Sequence, residues 1–268
     1  MPAGAKLAMV LFPLYILVMG CVSGTLLWRY RENRYPPALL LGLAFGFLFG
    51  LAPFVFASQI LKHFLASSSA SWLYLSLRAG GANMVAWGWI MVAVFTWRVF
   101  RPGQAWALLL VTAVAGLELL AKDLTLMTEP AEIWLPWQAR RNVALLFIGS
   151  KVLSYGWWIV ESWSRGLVLG RDPGRDREVV RRFWLWGGGG ALLLIGILSS
   201  PQVLVFCFPS LGPTLQPFYA LSLDAFLQPQ VPRLMSVLVA IRLSTYFAFS
   251  LLAYVCWARK TKKIGGKA

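Results

Sequence analysis

The sequence predicts an all-α membrane protein, a polytopic bundle of seven transmembrane helices, and three observations lead there. Composition is the first: 59% of the 268 residues are hydrophobic and 13% are charged, against roughly 25% charged in a typical soluble domain. The second is block length. A helix rises about 1.5 Å per residue, so ~30 Å of hydrocarbon takes about 20 apolar residues, and several apolar blocks reach that length. The third is the position of the basic residues, which gather at the ends of the blocks.

Seven spans follow in order: Leu7–Trp28, Ala38–Phe64, Trp72–Trp97, Gln104–Leu124, Asn142–Ser164, Phe183–Phe206 and Leu234–Trp257. They form a single domain over residues 1–258, followed by a basic tail over residues 259–268. The first block is long and lacks a convincing cleavage site, so it reads as a retained helix and not a signal peptide. No internal repeat is visible.

Orientation comes from the connections. Arg29, Arg31 and Arg34 follow span one, and Arg98 and Arg101 follow span three. Arg165, Arg171, Arg175, Arg177, Arg181 and Arg182 follow span five, and five more basic residues fill the tail. These alternate segments hold 16 of the 25 basic residues. The positive-inside rule then puts the N-terminus outside and the C-terminus in the cytoplasm, which requires an odd number of spans. Trp28, Trp97, Trp106, Trp163, Trp184, Trp186 and Trp257 fall near the cytoplasmic ends, with Trp72, Trp134 and Trp137 near the outer ends, as an interfacial belt would place them. The last outer connection, Cys207–Arg233, is rich in proline. Its apolar stretch Leu215–Leu227 is too short to span and is expected to cap the outer mouth.

Several classes are disfavoured. A net charge of +15 suggests nucleic acid only until its placement is read, so no nucleic-acid partner is expected. His63 is the single histidine, which excludes a multi-histidine metal site. Cys21, Cys207 and Cys256 show no ligand spacing, although Cys21 and Cys256 are expected near the same face. The Gly187–Gly190 run lacks a phosphate-loop pattern and suits close helix packing instead. No cofactor is implied, and no GxSxG, HExxH or paired-carboxylate motif points to catalysis.

The stretch Glu161–Gly187, ESWSRGLVLGRDPGRDREVVRRFWLWG, resembles the fifth-to-sixth helix connection of uncharacterised bacterial seven-helix membrane proteins. It covers about a tenth of the chain. It implies a multi-pass location in a bacterial cytoplasmic membrane and no activity. The N-out, seven-span topology is also similar to that of opsins and G-protein-coupled receptors. The seventh span has no lysine for a retinal Schiff base and carries Arg242 instead.

Ionisable residues inside a span cost about 2.5–3.5 kcal/mol to insert, so they are the best functional pointers. Lys62, His63, Arg78, Lys122 and Asp123 lie near outer ends and can snorkel. Lys151 and Arg242 lie deeper, with Glu118 and Asn83 at comparable outer-half depth. Tyr155 follows Lys151 by four residues and Tyr246 follows Arg242 by four, so each pair shares a helix face. Glu118 can pair with Lys151 or Arg242, or with Lys122 one turn on. If it pairs within the outer half, the two deep cations still outnumber it.

Three functions are compatible with this pattern. The leading one is a receptor-like or transport-like bundle whose outer cavity binds a small anion or an anionic lipid headgroup through Lys151, Arg242, Glu118, Asn83, Tyr155 and Tyr246. The second is an accessory or structural subunit of a larger membrane complex. The third is a lipid-modifying enzyme. Arg165–Arg182 is expected to form a surface loop against anionic headgroups or a membrane or cytoplasmic protein partner.

Overall fold

Each expected span contains one long helix, though not always over its full length. The structure, a computed structural model, describes residues 3–64, 72–128, 137–172, 174, 176–199, 203–204, 207–211 and 233–258. The helices are α1 (Ala3–Asn33), α2 (Pro36–Phe64), α3 (Trp72–Phe100), α4 (Ala105–Thr128), α5 (Trp137–Gly170), α6 (Arg177–Leu198) and α7 (Arg233–Ala253). A π turn over Tyr254–Ala258 continues α7, and a 3-10 turn occupies Pro209–Leu211. No strand occurs among the described residues.

Local chemistry sets the ends. Pro36 opens α2 at the first helical position, where a missing N–H costs nothing. Arg34 takes a left-handed φ of 50° just past α1, and its N–H closes on the Tyr30 carbonyl at 2.8 Å. Asp176 caps α6 by accepting the Glu178 N–H at 2.8 Å. The Asp172 carboxylate accepts the Gly174 N–H at 3.1 Å, forming the turn that the Asp-Pro-Gly sequence predicts.

Two element expectations need correction. The sixth helix ends at Leu198, well before Phe206, with Ser199 as its C-cap. Pro201 follows two residues beyond that cap and has no N–H with which to continue the helix. Arg165–Arg182 is mostly helix as well. α5 runs on to Gly170 and α6 starts at Arg177, so the connection between them is short.

Consecutive helices pack side by side from α1 to α7, and α7 packs back on α1, closing the order of contacts on itself. α2 and α3 make the most extensive contact. Glycines permit such approach: a Cβ on Gly88 would stand 2.7 Å from Leu48 and 3.1 Å from the Ala44 carbonyl. The glycine run of α6 works the same way. Gly187 and Gly190 abut Trp163, Ser162 and Ile159 of α5, while Gly189 faces Phe249 and Leu252 of α7.

The core is aromatic. Trp158 and Trp186 approach to 4.5 Å between ring centroids, and Phe249 lies within 5.6 Å of both. Phe95 joins Trp186 to Trp257, at 5.6 and 5.1 Å. α1, α2, α3, α5, α6 and α7 all contribute to this cluster. α4 instead packs outside it, on a smaller cluster made by Ala93, Ala107, Val111, Val114 and Trp157.

The core corrects part of the expected tryptophan belt. Trp28, Trp72, Trp106, Trp163 and Trp184 are exposed, but Trp186 and Trp257 are buried. Of the two cysteines expected near one face, Cys21 is exposed on α1 and Cys256 is buried in the π turn after α7. The outward faces carry exposed Leu17, Leu109, Val160, Val168, Ile195 and Val237. Among the described residues, two helices, Trp72–Phe100 and Ala240–Trp257, are long and apolar enough to cross a membrane, and Pro36–Gly50 and Ala105–Leu120 are shorter apolar runs.

Candidate functional site

Four helices bring most of the deep polar residues into one layer. Glu118 comes from α4 and Lys151 from α5, and Lys151 Nζ meets Glu118 Oε1 at 2.6 Å. Both side chains are at most 1% exposed. The Ser150 hydroxyl donates to the same carboxylate oxygen at 3.0 Å. Lys151 also lies 5.0 Å from the Trp89 ring centroid and 6.0 Å from that of Tyr155, within the range of cation–π attraction.

The layer continues through aromatic contacts to α7. Trp89 touches Tyr155 at 5.2 Å and Tyr246 at 6.2 Å. Tyr246 packs on Tyr15 of α1 at 5.8 Å, and the Arg242 guanidinium lies 5.8 Å from the Tyr246 ring. The helical spacing thus pairs Lys151 with Tyr155 and Arg242 with Tyr246. Asn83 is half-buried on α3 two turns before Trp89, and among the described residues no hydrogen bond, ion pair or ring contact joins it to the others.

Charge is unevenly matched across the layer. Glu118 pairs with Lys151 and not with Arg242. Arg242 meets no carboxylate among the described residues, and its carbonyl takes the Thr245 hydroxyl at 2.8 Å. Within this layer the Tyr155 hydroxyl and Glu118 Oε2 are buried with no hydrogen-bond partner among the described residues. Leaving such a group unmatched costs about 1–3 kcal/mol; the Tyr155 hydroxyl is a donor and Glu118 Oε2 an acceptor.

Tyr15, Trp89 and Ser150 were not singled out from sequence. A tyrosine and a tryptophan far from the ends of apolar blocks were the available signal, since interfacial anchors sit at the ends. A second polar centre also went unread. Arg101 Nε lies 2.8 and 2.9 Å from the two oxygens of Glu161, which is buried, and the Trp157 indole donates to Glu161 at 3.4 Å. The centre locks the α3–α4 connection onto α5.

Two apolar grooves indent the described surface. One lies between α4 and α5, lined by Leu117, Leu145, Leu146, Gly149 and Ser150. The other lies between α1 and α7, lined by residues including Leu17, Cys21, Leu251 and Tyr254. Neither is lined by Arg242, Tyr246 or Asn83. The expected outer cap, Leu215–Leu227, and the side chains of Lys62, His63, Arg78, Lys122 and Asp123 lie outside the described residues, as does the basic tail. Comparison with known protein families, known proteins and solved structures returns no match. Among the described residues no group of three or more His, Cys, Asp or Glu side chains could hold a metal ion. The layer can therefore be read only by its own chemistry: one internally neutralised pair, one cation without a carboxylate, and aromatic rings with a spare hydroxyl donor.

Proposed function

We propose that the chain is a multi-pass integral membrane protein with seven spans, its N-terminus outside and its C-terminus in the cytoplasm, which binds a small anion or anionic lipid headgroup through Arg242 in the outer half of the membrane. Two observations support the membrane reading. The helices expose aliphatic side chains outward while the ionised pair sits inside, the reverse of what water favours. Leu7–Trp28 contains no Asp, Glu, Lys or Arg and is long enough for the hydrocarbon core.

The observation that carries the anion site is Arg242. Glu118 has satisfied Lys151, which leaves the Arg242 guanidinium without a carboxylate among the described residues. An isolated charge at membrane depth is costly. A carboxylate or phosphate ligand would offset that cost by a forked, charge-assisted contact, and the Tyr155 hydroxyl is an unused donor in the same layer. The aromatic core fills the centre below this layer, which favours a receptor-like role over a conducting path.

The test is thermal unfolding in detergent with and without a panel of phosphates, carboxylates and anionic lipids. A bound anion should raise the midpoint, by an amount corresponding to about 2.7 kcal/mol at a hundred times its Kd. Arg242→Leu should abolish the shift without lowering the midpoint of the ligand-free protein. Absence of any shift in the parent protein would leave the second reading, a structural subunit, which the complete Glu118–Lys151 pair supports.

A further inference from the structure

The turn from α1 into α2 carries arginines that the outer layer does not use. Three fall within six residues, and each faces an aromatic ring. Arg29 lies 5.7 Å from the Tyr35 centroid, Arg31 5.9 Å from Trp28 and Arg34 5.8 Å from Tyr30. At such distances the guanidinium is held by cation–π attraction, which leaves its N–H donors unused by the ring. Arg29 donates to the Trp257 carbonyl in the π turn after α7, which fixes one wall of the turn. The Arg182 carbonyl of α6 accepts the Cys256 thiol at 3.6 Å, which sets Arg182 against the same π turn. Arg29 and Arg182 both act on the Tyr35 hydroxyl, whose partial burial raises its pKa above the ordinary value against their opposing pull. Carboxylates are present too. Glu178 holds Arg182 at 2.6 Å, and Glu32 accepts the Trp28 indole N–H at 2.9 Å. Arg31 and Arg34 remain exposed.

The backbone supplies an independent observation. Arg34 is the one non-glycine residue among the described residues with a positive φ. It occupies the position after a helix C-terminus at which glycine is the usual residue, because a Cβ is strained there. Such strain concentrates at functional sites. An arginine held where glycine would be relaxed contributes through its side chain.

We infer that the α1–α2 turn binds the phosphate of an anionic phospholipid, with Arg31 and Arg34 as exposed forks and Arg29, Tyr35 and Arg182 as the supporting wall. The inference rests on the reading above that this end lies at the cytoplasmic headgroup region. Guanidinium forks match phosphate oxygens two at a time. Exposed Trp28 on the same turn suits the level of the headgroups. A lipid is the occupant because its acyl chains keep the phosphate at that level, where free phosphate has no such anchor.

Nanodiscs of defined phosphatidylglycerol and phosphatidylcholine content test this, with retained lipids counted by native mass spectrometry. Arg34→Gly should lower phosphatidylglycerol retention by about fivefold, the factor for one arginine at a membrane surface. Its thermal midpoint should hold or rise, because glycine relaxes the turn. The pair Arg31→Gln with Arg34→Gln should lose more. The control Arg98→Gln, equal in charge to a single Arg34 change and exposed on α3, should lose clearly less than Arg34→Gly. Unchanged retention in Arg34→Gly, or equal loss in Arg98→Gln, overturns the site. Displacement of the lipid by inorganic phosphate at matched concentration overturns the lipid as occupant. Failure of the parent protein to enter nanodiscs sinks the membrane reading and this inference with it.

Discussion

Lys151 keeps a charge at the centre of an apolar assembly because Glu118 Oε1 sits 2.6 Å away and Ser150 holds that carboxylate in place. Removing one partner of such a pair commonly costs ~3–5 kcal/mol, whereas replacing both by apolar groups can be close to neutral. Glu118→Gln should therefore lower the unfolding midpoint strongly, and Glu118→Leu with Lys151→Leu should recover most of the loss. A double variant no more stable than the single would show that the pair does more than neutralise itself. Arg242→Leu should behave differently and leave ligand-free stability unchanged or higher. At this scale the sequence is informative about depth but not about rotation. Helical spacing places Tyr155 beside Lys151 and Tyr246 beside Arg242. It cannot say that Trp186 turns inward while Trp184, two residues earlier, turns out.

Helix contacts depend on where side chains are missing. A methyl on Gly88 would meet Leu48 and the Ala44 backbone of α2, and a backbone cannot rotate out of the way. Gly88→Ala should cost about 1–3 kcal/mol, the usual range for overpacking. Gly149→Ala is the matched control on α5, where an added Cβ meets nothing within 4 Å. It should be neutral or stabilise by about 0.5–1 kcal/mol through helix propensity. Thermal midpoints of the two variants in one detergent check both statements. The seven helices were legible because each follows a long apolar block bounded by charged, proline or glycine residues. Their ends were less so. Arginine is a good helix former, so α5 and α6 extend into the charged segment, while α6 stops early on the far side.

For the whole molecule, the alternation of basic ends fixes an expected sidedness. A reporter fused after Lys267 should read cytoplasmic, and one inserted near Glu129 should read external. The reverse pattern would remove both the outer assignment of Arg242 and the inner assignment of the α1–α2 turn. Order of contacts supports a single unit, since α7 returns to α1 and Arg29 donates to the Trp257 carbonyl across 228 residues of sequence. The position of α4 outside the main core was not legible, because nothing in a run of apolar residues tells whether its neighbours are side chains or lipid tails.

The 4.5 Å approach of Trp158 to Trp186 has an optical consequence. Two indoles that close and tilted by 43° couple their electronic transitions, which splits the absorption into a pair of oppositely signed bands in circular dichroism. The signal exists only while α5 and α6 hold both rings in register, so it reports native packing without a label. Trp158→Phe and Trp186→Phe should each weaken both bands strongly, whereas Trp163→Phe, which removes only the wider 6.1 Å pair with Trp184, should weaken them less.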